Sequence, residues 1–247
     1  MEDSVEIIGK LKELIKIVDN DEDKAHILLY IASCEKSLKL YKNARHSISS
    51  ARKLVHENSR VHPGGILIIA QINAMEGRWT QVLNNINEMK NRYMNIINNP
   101  EYDDVREDMI RYQGMALYNL KRFNEAKPFL EKAVNSQYAK STSYYFMGSC
   151  CYFLSDLNGA IENLRKALNL GLCDEYQDNA HYTLGLSYYW SNKSAWAIKE
   201  FKWCMENNRF QRVPRVYVLK ALIDAFKSLG QNKEVRHYDK MLRGLDV

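Results

Sequence analysis

Cys150 and Cys151 stand side by side in "YYFMGSCCYFLSDLNGAIENLRKAL", residues 144 to 168, and paired thiols raise metal or redox chemistry first. Neighbouring residues of a helix point about 100° apart, and zinc ligands need a spacing that returns both to one side, which the chain's five cysteines never provide as a C-x-x-C pair. The thiols therefore read as small core residues, and no metal or cofactor is expected. His181 falls on a helix face that should be buried, the place of an interior histidine rather than a general base. His26, His46, His56, His62 and His237 are scattered, with no nucleophile or carboxylate at an interpretable spacing. "HPGGIL" at 62 to 67 lacks the preceding strand and the Lys-Ser/Thr of a phosphate loop, so it reads as a turn and helix start. "NKS" at 192 to 194 matches a glycosylation sequon but falls in an inter-helix turn. The acidic run Glu101, Asp103, Asp104, Glu107 and Asp108 reads as a solvated loop or as a secondary docking site for a basic partner. No catalytic constellation emerges, and the expected class is not an enzyme.

What remains is aromatic chemistry. Tyr144, Tyr145, Phe146, Tyr152 and Phe153 crowd three turns of one helix, of which at most half the circumference can face a single core. Tyrosine combines large contact area, few rotatable bonds and a polar rim, the properties of a binding surface.

The elements that must carry these residues are helices. Runs with a 3.6-residue period dominate, alternating β-branched runs are absent, and there are only 4 prolines and 11 glycines in 247 residues. The 35 Lys and Arg are interleaved with 30 Asp and Glu, a net charge of +5 with no basic stripe, which speaks against nucleic-acid binding. The longest apolar run, "ILIIA" at 66 to 70, is too short to span a bilayer, and the start "MEDSVEIIGK" carries no basic region followed by an apolar run; a cytoplasmic protein without membrane insertion is expected.

The helices repeat. "YYFMGSCCYFLSDLNGAIENLRKAL" aligns with "IRYQGMALYNLKRFNEAKPFLEKAV" at 110 to 134, laying Gly148 on Gly114, Ala160 on Ala126, Leu164 on Leu130 and Ala167 on Ala133 at an offset of 34 residues. A third copy at 181 to 205 places Gly185, Ala197, Phe201 and Cys204 in the same slots. Weaker copies carry Ala32 with Ala44, Ile48 and Ala51, and Ala70 with Val82, Ile86 and Met89. A last copy has Ile223 where the small residue belongs and Asp239 where an apolar one does. Small anchors let two helices of one repeat and the first helix of the next approach closely, and each repeat then buries a face that it cannot bury alone.

This pattern resembles the tetratricopeptide repeat, a 34-residue helix-turn-helix unit, over residues 107 to 207 most strongly. The resemblance implies an all-α fold, a right-handed α-solenoid of about six repeats at approximately 25–58, 63–97, 107–140, 141–173, 178–211 and 214–245, together spanning 21–247. Residues 1–20, with Val5, Ile8, Leu11, Ile15 and Val18 at helical spacing, are read as an N-terminal capping helix or as the stub of a further domain. The insertion "NRYMNIINNPEYDDVRED" is expected to prolong the second helix of its repeat by roughly two turns, up to Asn98-Asn99-Pro100.

The resemblance also assigns a concave wall, taken from the residues six, three and two before each small anchor and one, four and five after it. In the third to fifth repeats this face holds Arg111, Tyr112 and Tyr118, then Tyr145 and Tyr152, then Asn179, Tyr182, Tyr189 and Trp190; Lys220 follows in the sixth. The expected function is a non-catalytic adaptor or scaffold binding a peptide or helix of a partner protein there, with the rings supplying contact area and Arg111, Asn179 and Lys220 fixing orientation. Packing of the rings against neighbouring helices is the competing reading. Repeat domains of this family that grip the C-terminal carboxylate of heat-shock chaperones use a basic and amide clamp. Here the matching positions are Arg111 with Met115, Phe146, and Asn179 with Thr183, so an apolar or mixed segment is expected instead. A peptide-sensing regulator and a scaffold self-associating through its terminal helices are the alternatives.

Overall fold

The computed structural model describes residues 2–207 and 212–245 and contains helices and no strand among them. The described residues fall into two compact units that divide between Lys121 and Arg122. The first unit holds α1 (Glu2–Ile17), α2 (Asp21–Ser37), α3 (Tyr41–Lys53), α4 (Val61–Met75), α5 (Trp79–Arg92), the single turn α6 (Met94–Ile97) and α7 (Asp103–Asn119). The second holds α8 (Phe123–Asn135), α9 (Ser141–Phe153), α10 (Leu157–Asn169), α11 (Asp174–Trp190), α12 (Ser194–Asn207), α13 (Arg215–Ser228) and α14 (Asn232–Arg243).

Within each unit the helices pair as hairpins, α2 with α3 and α4 with α5, then α9 with α10, α11 with α12 and α13 with α14. The second helices have a single buried stripe at i, i+4 and i+7: Ala44, Ile48 and Ala51; Val82, Ile86 and Met89; Ala126, Leu130 and Ala133; Ala160, Leu164 and Ala167; Ala197, Phe201 and Cys204. In α14 no residue is fully buried, and Asp239, standing in the apolar slot, pairs with Arg243 at 2.7 Å, as a terminal helix with a wet outer face requires.

The turns inside the five hairpins are one structure repeated, and Lys121 at the end of α7 has the same backbone conformation. Lys39, Gly77, Lys121, Ser155, Asn192 and Gly230 all have φ between 58° and 72°, and each follows its anchor position (32, 70, 114, 148, 185, 223) by seven residues. In the five hairpins the N–H of the next residue reaches back across the turn, as from Leu40 to the Glu35 carbonyl (2.8 Å) and from Asp156 to that of Cys151 (2.9 Å), the Schellman closure of a helix end. The repeat thus persists in backbone geometry where side-chain identity has drifted.

The first helices are enclosed more completely than their sequences suggest. In α9 every residue from Ser143 to Cys151 is buried. Gly148 is where α10 crosses: a Cβ there would lie 2.9 Å from the backbone nitrogen of Leu164. The insertion departs from the expected continuous helix. Its helix breaks at Tyr93 (φ −128°) and resumes for one turn before Asn98. The break turns the Tyr93 ring into the core, parallel to His62 at 5.9 Å and among Ile97 and Met109. In α1, Ile8, Leu11 and Ile15 are half-buried on a helix that packs against α2, whereas Val5 is exposed. No described helix is long and apolar enough to cross a membrane.

Candidate functional site

Four of the ten residues singled out by sequence come together in the second unit. Tyr182, Tyr189 and Trp190 of α11 and Lys220 of α13 line a cavity of about 170 Å³, floored by Leu186 and Phe201 and closed by Tyr217 and Asp224. Tyr189 meets Trp190 edge-on at 5.3 Å, and the Tyr182 ring lies 5.8 Å from that of Phe201. Trp190 is 62% exposed, a large apolar surface offered to solvent beside a concavity. Tyr152 of α9 joins the same cluster. The indole N–H of Trp190 lies near its hydroxyl, and Tyr182 is close enough to feel both Tyr152 and Tyr217.

Burial raises the hydroxyl pKa values of Tyr152 and Tyr182 above the ordinary tyrosine range, while the nearby Trp190 N–H opposes this at Tyr152. Both phenols are therefore neutral at pH 7 and present themselves as hydrogen-bond donors and acceptors. Asp224 is engaged by Lys227 at 3.9 Å. The surface is aromatic, with the Lys220 ammonium and the Asp224 carboxylate at its edge, and it contains no nucleophile paired with a base. A cavity of this size is below the roughly 300–1,000 Å³ of small-molecule sites. It suits one inserted side chain.

The remaining predicted residues are placed differently. Tyr145 is 5% exposed, stacked on Tyr176 at 4.9 Å and edge-on to Phe146 at the same distance. Its ring is withheld from solvent because the first turns of α11 carry Tyr176 over it. Tyr176 was not singled out by sequence, although it precedes Asn179 and Thr183 on one stripe of α11 at spacings of three and four. Asn179 is half-buried on that stripe. In the first unit Arg111 is 8% exposed, bonded to Asp108 and lying 4.7 Å over the Tyr112 ring. Asp108 also accepts from Gln71 (3.4 Å), which accepts from Lys36 (2.5 Å), so a polar chain crosses the matching faces of α2, α4 and α7. Burial raises the Tyr112 pKa, and Tyr118 is half-buried. Of the acidic run, Glu101 pairs with Arg60 at 2.7 Å, Asp103 with Arg106 and Asp108 with Arg111, while Asp104 accepts from the Val105 N–H. Among the described residues no group of three or more His, Cys, Asp or Glu is placed to hold a metal.

The family model of the tetratricopeptide repeat matches residues 113–139 and 141–170. Among solved structures, PilF of Pseudomonas aeruginosa is similar at 13% identity and a TM-score of 0.64, over 92% of this chain and 94% of that one. The type IV pilus biogenesis factor PilW is similar at 17% identity and a TM-score of 0.61, over 89% and 92% respectively. YrrB, a TPR protein with an unusual peptide-binding site, is similar at 14% identity and a TM-score of 0.53, over 93% and 97%. At such identities the likeness is one of fold. A comparison with curated protein sequences finds no match.

Proposed function

We propose that this tetratricopeptide-repeat protein is a non-catalytic adaptor that takes an apolar or mixed peptide, or one face of a partner helix, into the aromatic groove of α9, α11 and α13. The observation that carries this reading is the convergence of Tyr152, Tyr182, Tyr189 and Trp190 with Lys220 around a side-chain-sized cavity, with Trp190 largely exposed. Rigid rings with polar rims are what interface hot spots use, and the Lys220 ammonium orients a segment through a carbonyl or carboxylate. A peptide-binding site belongs to YrrB; for this chain it is an analogy of fold. Tyr145, held under Tyr176, supports the groove from below, and Asn179 extends it toward the start of α11. On the first unit, Arg111, Tyr112 and Tyr118 are proposed as a contact surface of α7 in its own right.

The test is affinity purification from native cells with wild type and a Tyr189→Ala/Trp190→Ala protein whose helicity matches it by circular dichroism. Partners retained by wild type and lost by the variant are expected. Identical partner sets from the two proteins would show that these rings serve packing alone.

A further inference from the structure

A second cleft of the second unit lies between α10 and α12, over α11, with a volume of about 490 Å³. The first unit has one of about 480 Å³ between α1 and α3, over α2. The register that lays Ala32 on Gly185 also lays the lining of one cleft on that of the other, Lys12 on Arg165, Ile15 on Leu168 and Ile31 on Leu184. The concavity is therefore a product of repeat packing, a first helix seen between two second helices, and its existence argues for nothing.

The chemistry of the two clefts differs. Where the first has Leu28, Glu35, Asn43 and Ser50, the second has His181, Tyr188, Trp196 and Trp203. Packing does not demand these rings, since the first cleft reaches nearly the same volume with an amide and a hydroxyl. Trp203 lies flat on His181, ring centroids 3.7 Å apart at 19°, and Nδ1 of that histidine is 2.6 Å from the Glu200 carboxylate. This sandwich fixes one wall. Trp196 is 56% exposed, tilted over Tyr188 at 6.0 Å. Arg165 on α10 and Lys199 on α12 are exposed and form no ion pair among the described residues, whereas Glu200 is already engaged by His181.

We infer that this cleft is a second docking site, separate from the aromatic groove, for an acidic peptide segment of a partner protein. An aromatic or aliphatic side chain of the segment enters between Trp196 and Trp203, and carboxylates on either side of it meet Arg165 and Lys199. Of the charged side chains lining the cleft, Arg165, Lys199 and Lys202 outnumber Glu200, which is engaged by His181, and the exposed Glu206, so the excess is positive and comes from two different helices, which matches acidic residues flanking an apolar one.

The probe is an acetylated and amidated octapeptide with a central Phe between Glu residues, titrated into the full chain by calorimetry. Saturable binding is expected, at least tenfold weaker in Trp196→Asn, which installs the first unit's residue, and in Lys199→Glu. Lys199 is exposed, so its variant decides the matter even where Trp196→Asn loses stability. The inference is overturned by no saturation up to millimolar peptide, by equal binding of a Lys-flanked counterpart, or by indifference to Lys199→Glu. It is overturned too if phenylacetate saturates the cleft and the octapeptide does not, which would make it a small-anion site.

Discussion

At the scale of single residues, the left-handed positions of the hairpin turns are the places where backbone geometry outranks side-chain identity. Gly77 and Gly230 meet the requirement without strain, whereas Lys39 and Ser155 hold φ of 62° and 63° with a Cβ present. Both are exposed, so their side chains contribute little packing to set against that strain. An L-residue in this region is disfavoured by roughly 1–2 kcal/mol, partly offset by the larger entropy that glycine loses on folding. Lys39→Gly and Ser155→Gly are each expected to stabilise the protein by about 0.5–1 kcal/mol, read as a higher urea midpoint at unchanged slope. Gly77→Ala serves as the converse. A Cβ there meets nothing within 4 Å, so its expected loss of about 1 kcal/mol is backbone strain alone. If all three variants melt like wild type, the shared turn is not the strained structure described.

At the scale of elements, the second helices were legible and the first helices only half so. Ala160, Leu164 and Ala167 recur at one spacing with polar residues around them, and such a stripe has a single solution. A first helix touches neighbours on several sides, and periodicity says which residues share a face without saying whether another helix covers it. Tyr145 and Tyr189 occupy equivalent kinds of position, yet Tyr176 covers the first and the second lines an open cavity. The local sequence around Tyr145 holds no sign of that cover, which comes from the start of α11. The break at Tyr93 escaped for a related reason, since the benefit of a buried ring over His62 is tertiary while the run up to Asn98 reads as helix throughout. One element runs against propensity in plain view. Pro128 lies inside α8, exposed, where it removes an N–H from the helix ladder. Proline in a helix interior is about 3 kcal/mol worse than alanine, and relaxation of the helix recovers part of that. Pro128→Ala is expected to add about 1–3 kcal/mol of stability, seen as a higher melting temperature. A lower one would show that Pro128 is needed to seat α8 against α9.

At the scale of the whole molecule, dispersed charges of both signs leave no large field, and the strongly perturbed groups are buried neutral ones. Burial pushes the Cys150 thiol to about 11 and that of Cys151 to about 12, the latter helped by Asp156, and drives Cys204 higher still, all from an ordinary value of 9.0. Tyr112, Tyr152, Tyr182, Tyr188 and Tyr238 are raised above 10.0 by the same cause. Each of these groups binds its proton more tightly in the folded chain than in the unfolded one. Their neutrality thus favours the fold fully below pH 9, and the advantage is lost as pH rises from about 9 toward the folded-state values. A full pKa unit is worth about 1.4 kcal/mol, so by pH 10.5 each of these buried thiols withdraws on the order of 2 kcal/mol. The expected result is a melting temperature level between about pH 7 and pH 8.5 that falls from about pH 9 upward, the part above about pH 10 being shared with lysine deprotonation. Replacing Cys150 and Cys151 together by Ala removes two of the protons being held. The alkaline fall in the double variant should therefore be shallower than in wild type, even though its melting temperature at pH 7 is lower from lost packing. Parallel curves for the two proteins would mean that the thiols ionise as readily folded as unfolded, and that α9 admits water where its packing against α10 is described as closed.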